Sequence, residues 1–283
     1  MANFLAPADL SKAFVGISEK KASIPAAKML VLGILAGVYI GFAAHVATTI
    51  ATGPEDWFGV KKFLIGAVFS CGLMLVIIPG SELWTGNNLM VIGLLDKKIG
   101  FGGLMKNWGL VYLGNLIGSL LLAFIIAQSS GLLAGNIGAT AIKIAAGKVS
   151  VSTIGDMSHN YAFFFRAVGC NWLVCLAVMM AISAQDIAGK VLAIFFPIMA
   201  FVAAGFEHCI ANMYFIPAGI FAKNFSGAVD GAVKLGVSEK AIENLNWASM
   251  WTQNLGVVTL GNLVGGAVFT GAVYWWLYVK KSD

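Results

Sequence analysis

Residues 205–213 read GFEHCIANM, inside a run from about residue 189 to 222 that is otherwise apolar. Glu207, His208 and Asn212 fall within two helical turns of one another if the segment is helical. Ionisable groups at such depth are costly and mark places where protein or a watery path surrounds them. A second interruption, PGSELWTGNN at 79–88, lies in an apolar run of about 63 to 95. One crossing of a hydrocarbon core needs about 20 residues of helix, and each of these runs is longer. Irregular backbone inside a membrane survives only when buried in protein or lining a cavity. Two broken helices in corresponding places point to a transport site between them.

Composition supports the membrane reading. Hydrophobic residues make up 59% of the 283 and charged residues 11%. Water-soluble domains carry about 25% charged residues, so this chain lacks the polar surface to coat a soluble body. The net charge of +5 sits largely in short polar connectors, where the bilayer surface accounts for it. With Arg166 as its only arginine, the chain has no footprint for nucleic acid. Cys71, Cys170, Cys175 and Cys209 all lie in apolar segments and read as buried, inert thiols. No phosphate loop, dinucleotide fingerprint or zinc-protease motif is present, and His45 and His159 share no metal-ligand spacing with His208. Neither a metal, a cofactor nor an enzyme activity is expected.

Four further runs complete six spans, at about 29–52, 104–128, 161–184 and 250–278. The third and sixth carry the same phrase, NWGLVYLGNLIG at 107–118 and NLGVVTLGNLVG at 254–265, which sets Asn115 on Asn262. The breaks correspond too: Gly80, Glu82 and Asn87 match Gly205, Glu207 and Asn212. The expected fold is therefore an all-α membrane domain of two three-helix repeats. An odd number of spans per repeat inverts the second copy. One domain, 1–283, then divides into a polar tail (1–28), a first repeat (29–128), an outer loop (129–160), a second repeat (161–278) and a C-terminal tail (279–283). Lysines 12, 20, 21, 28, 97, 98, 106, 190, 280 and 281 outnumber Lys61, Lys62, Lys143, Lys148, Lys223, Lys234 and Lys240 on the other side, favouring cytoplasmic termini.

Each polar residue at the breaks has two readings. Glu82 and Glu207 read foremost as internal caps accepting from the amide N–H groups that a broken helix exposes; the other reading is a proton-binding pore group. His208 breaks the symmetry, because its counterpart is Leu83. It is either a satisfied core histidine or the ionisable group of a conduction path. Asn171 and Thr85 either line a pore or brace helices, and Asn115 and Asn262 suit close packing equally well. Phe69, Leu73, Leu83 and Phe201 flank the breaks, as core packing or as an apolar ring that excludes hydrated ions.

Five pieces, GSELWTGNN (80–88), KNWGLVYLGNLIG (106–118), RAVGCNWLVCLAV (166–178), FVAAGFEHCIANMYFIPAG (201–219) and VTLGNLVGG (258–266), resemble the formate/nitrite transporter family in order and content. The resemblance implies an aquaporin-like bundle with spans two and five broken, a homopentamer in the cell membrane, and one pore per protomer. It implies a small monovalent anion of a weak acid as cargo: formate foremost, otherwise nitrite, hydrosulfide, acetate or lactate, moving with protons. The family's central histidine falls on His208, its threonine on Thr85, its pore asparagines on Asn171 and Asn262, and its vestibule lysine on Lys148. One apolar constriction falls on Phe69, Leu73 and Phe201, the other on Leu83, Trp84 and Val174. Asn87 and Asn212 join the two glutamates as structural residues of the breaks. The rival of another class is a neutral-solute channel, against which stands the lack of paired NPA motifs.

Overall fold

The computed structural model describes residues 4–54, 56–150 and 153–280. Lys281, counted above among the inner lysines, and the outermost residues of both tails lie outside the described residues. Among the described residues the chain is helical, apart from the isolated bridges Phe4–Ala184 and Ile154–Met157.

The first half begins with α1 (Pro7–Ser23) and the first span, α2 (Ala26–Ala51). Span two is α3 (Phe58–Phe69) and α4 (Cys71–Ile77), an extended break, and then the short α5 (Trp84–Asn87) and α6 (Val91–Leu95). Span three is α7 (Phe101–Phe124), prolonged by a wider π turn to Ser129. The second half repeats the plan. It comprises α8 (Asn136–Lys148), α9 (His159–Ser183), α10 (Ile187–Ala203), a break, and α11 (Cys209–Ala222). Two small helices follow, α12 (Ser226–Lys234) and α13 (Glu239–Asn244), before the last span at Trp247–Tyr278. The six expected spans are thus present, with the second and fifth broken, and the fold is an all-α aquaporin-like bundle of two inverted repeats.

One expectation changes. The segment read as a polar tail carries α1, an amphipathic helix that buries Leu10, Phe14 and Ser18. Leu5 N–H donates to the Ser183 carbonyl (2.9 Å), and the Ser183 hydroxyl returns a bond to the Leu5 carbonyl (2.8 Å), pinning its start to the α9–α10 connection. The outer loop likewise holds α8, packed on α11 and α12. Each repeat is therefore a short helix followed by three spans.

Both breaks end in the same way. Gly80 and Gly205 take left-handed φ of 93° and 78°, a region closed to most side chains. The next residue's N–H reaches back five positions, Ser81 to Val76 (2.9 Å) and Phe206 to Phe201 (3.1 Å), which completes a Schellman-type end. Leu83 and His208 then run extended before the second half-helices start.

Glycines set the helix spacing. A side chain on Gly118 would strike the Ile34 carbonyl of α2, and one on Gly265 would strike the Val168 carbonyl of α9. Backbones in these pairs touch directly, so dispersion and close fit replace the hydrophobic drive that lipid does not supply. Gly118→Leu should therefore destabilise the protein by about 1–3 kcal/mol or more, seen as a lower thermal midpoint or aggregation in detergent. Gly109→Ala, at a position with open space around it, should leave the midpoint unchanged or raised.

Candidate functional site

The two breaks meet near the centre of the bundle, and each is held by one side-chain network. Asn115 of α7 donates through Nδ2 to the carbonyls of Gly33 (2.8 Å) and Glu82 (2.9 Å), while its Oδ1 accepts from Trp84 N–H (2.9 Å). Asn262 repeats this with Ala167 (2.8 Å), Glu207 (2.8 Å) and Cys209 N–H (2.8 Å). One amide thus satisfies three backbone groups that a broken helix leaves open.

The carboxylates do something other than the expected amide capping. Lys21 of α1 grips both oxygens of Glu82 (2.7 and 2.8 Å), and Lys148 of α8 grips both of Glu207 (2.9 and 2.9 Å). Asn87 bridges Glu82 (2.6 Å) to Asn107 (2.8 Å), and Asn212 bridges Glu207 (2.7 Å) to Asn254 (2.8 Å). Asn107 and Asn254 then donate to the carbonyls of Lys21 (3.4 Å) and Lys148 (3.0 Å). The amides of Glu82 and Glu207 themselves go to the Leu32 and Arg166 carbonyls (3.2 and 3.3 Å). Neutral amide donors alone would leave a buried carboxylate without a counter-charge, and each carboxylate is instead matched by an ammonium. Lys21, Asn107 and Asn254 are the residues that sequence reading missed. The last two stand at equal places in the quoted repeat phrases. Lys21 and Lys148 are 127 residues apart, close to the 125 that separates the glutamates.

His208 is where the symmetry fails, and it meets the other half. Its Nδ1 accepts from Ala211 N–H (3.0 Å), and its Nε2 lies 3.0 Å from Thr85 Oγ1. A neutral ring whose Nδ1 accepts carries its proton on Nε2, facing Thr85. A second ring proton requires breaking the Ala211 bond. Asn171, fully buried, donates to Thr85 O (3.3 Å), Asn88 Oδ1 (2.8 Å) and Asn262 O (2.7 Å), tying this point to both breaks. Asn262, assigned to a pore by resemblance, spends its whole amide on the second break.

Around the imidazole the walls are apolar. Ile40, Phe69, Leu73, Leu83, Val174, Ile198 and Phe201 enclose a chamber of about 10 Å³ with His208. That is room for about one water. The two expected constrictions therefore share one chamber here. Phe69 meets Phe201 edge-on at 5.8 Å and stacks with Phe215 at 6.4 Å. Trp84 is not part of that wall; its ring packs edge-on against Trp108 (6.3 Å) and Tyr112 (5.4 Å). Beyond Phe69 and Phe201 opens a funnel of about 490 Å³ lined by Lys148, Glu207 and His208 among others. Among the described residues no three His, Cys, Asp or Glu side chains gather to hold a metal ion.

The model of the formate/nitrite transporter family matches residues 8–276. A probable formate transporter of Methanothermobacter thermautotrophicus is 42% identical, over 99% of each chain. The formate channel FocA of Escherichia coli K12 is 32% identical over 99% of this chain and 97% of its own. Among solved structures, a pentameric formate channel with formate bound superposes with a TM-score of 0.77 at 38% identity, covering 90% of this chain and 98% of the other. These relatives are channels and transporters, not enzymes.

Removing one member of a buried ion pair strands the other. Lys148→Met should lower stability by about 2–4 kcal/mol, less than for a sealed pair because the lysine is 15% exposed. The double variant Lys148→Met/Glu207→Gln should recover at least half of that loss. Thermal unfolding of the two variants beside the parent reads this directly, and Lys21→Met with Glu82→Gln should behave alike.

Proposed function

Because the chain belongs to the formate/nitrite transporter family, we propose that it is a plasma-membrane channel, homopentameric with both termini cytoplasmic, that passes small monovalent anions of weak acids, formate foremost. The formate-named relatives and the pentameric formate-bound structure support the cargo and the assembly. The observation that carries the mechanism is the 3.0 Å contact of His208 with Thr85 inside a ring of hydrocarbon.

A bare anion loses its hydration on entering that chamber, and the walls return nothing for it. A neutral acid avoids most of this cost. The anion first collects in the funnel. As it meets Phe69 and Phe201 it takes up a proton, and His208 with Thr85 is the relay at that depth. The neutral acid passes the apolar walls and releases its proton on the far side. Lys21 and Glu82 stand there as Lys148 and Glu207 stand outside, so either direction of flux meets equivalent groups. Because the chamber holds about one water, Phe69, Phe201 or Leu83 must swing aside for each passage.

In proteoliposomes with an imposed pH gradient, formate flux through the wild type should rise as the outer pH falls. His208→Asn should lower that flux about ten- to a hundredfold and flatten its pH dependence, the usual span for loss of a positioned proton-transfer group being at least that large. Undiminished pH dependence in the variant would contradict the relay.

A further inference from the structure

The funnel outside the chamber carries more charge than one small anion needs. Lys61, Lys62, Lys143, Lys148 and Arg166 line it. Among its described lining residues Glu207 is the sole carboxylate, and that group is matched by Lys148 at 2.9 Å. The excess positive field therefore comes from the other four, on α3, α8 and α9. Two of these four are held in place over rings rather than by acids. Lys62 Nζ lies 5.6 Å from the Phe58 ring centre, and the Arg166 guanidinium carbon lies 5.3 Å from that of Phe163. A cation over an aromatic face is positioned without its charge being cancelled. Lys61 donates to the carbonyls of Gly53 (2.9 Å) and Pro54 (3.2 Å), which are also neutral.

The space fits the charge. At about 490 Å³ the funnel lies within the range of small-molecule sites, and its floor is the closed chamber of about 10 Å³. Clefts lined by one sign of charge focus their field on the ion inside. Attraction scales with ion valence, so a trivalent ion is enriched by the cube of the factor that a monovalent ion enjoys. We propose that the outer funnel is a binding site for small multivalent oxyanions, polycarboxylates above all, which lodge over Phe69 and Phe201, cannot be neutralised by a single proton, and block passage from outside. The block rests on the anion-channel reading; the binding does not.

Citrate is the probe, with succinate and acetate as lower-valence arms at equal ionic strength. Calorimetry on the detergent-purified full chain should show affinity falling from citrate to succinate to acetate. Lys62→Gln should weaken citrate binding roughly two- to tenfold, the span given by Coulomb's law in water at vestibule distances with and without screening. Arg166→Gln should do so again, and Lys62→Arg should restore wild-type affinity. Citrate outside proteoliposomes should slow formate entry, and Lys62→Gln should relieve it. Equal affinity for citrate and acetate, or citrate binding unchanged in both charge-removing variants, overturns the site. Citrate that binds without slowing formate overturns the block. Absence of formate flux before any citrate is added would instead count against the transport reading, while calorimetry still decides the site.

Discussion

A helix broken inside a bilayer exposes backbone N–H and C=O groups that hydrocarbon cannot satisfy, and everything else in this fold is arranged around that constraint. The answer is one asparagine per break. Asn115 and Asn262 each engage two carbonyls and one N–H of the broken segment and its neighbour. The close seating of α7 on α2, and of the last span on α9, brings those amides within reach, and the glycines at 114, 118, 261 and 265 permit that seating. Packing and polar satisfaction are thus one design, stated twice.

The same repetition explains how two carboxylates survive at that depth. Each is ion-paired, bridged by an asparagine and tied back to the backbone of the lysine that pairs it. Against such regularity the single unmatched position stands out. Where the first break has Leu83, the second has His208, and its Nε2 crosses to Thr85 of the first. Symmetry builds the frame, and its one failure supplies an ionisable group among apolar walls.

Much of this was legible in the residues. The six spans, the two breaks and the pairing of 80–87 with 205–212 follow from apolar run lengths and repeated phrases, because bilayer thickness and backbone satisfaction leave few alternatives. The partners of Glu82 and Glu207 were not legible. Lys21 lies 61 residues from Glu82, in a segment whose composition reads as a solvated tail, and local pattern carries no record of so distant a contact. An amphipathic helix such as α1 shows its apolar stripe only against a partner surface. Asn107 and Asn254 stood in plain view at matched positions, yet their role depends on which way α7 and the last span face. Trp84 was grouped with the constriction, whereas its ring turns towards Trp108 and Tyr112, a matter of rotamer rather than sequence.

Amide hydrogen exchange at the second break tests the central claim most directly. In Asn262→Ala, Cys209 N–H loses its acceptor, and its exchange should quicken about ten- to a hundredfold, as an unmet buried hydrogen bond worth about 1–3 kcal/mol implies. Trp84 N–H, held by Asn115, should keep its wild-type rate in that variant. Unchanged protection of Cys209, or an equal loss at both breaks, would contradict the account in which each asparagine holds its own break.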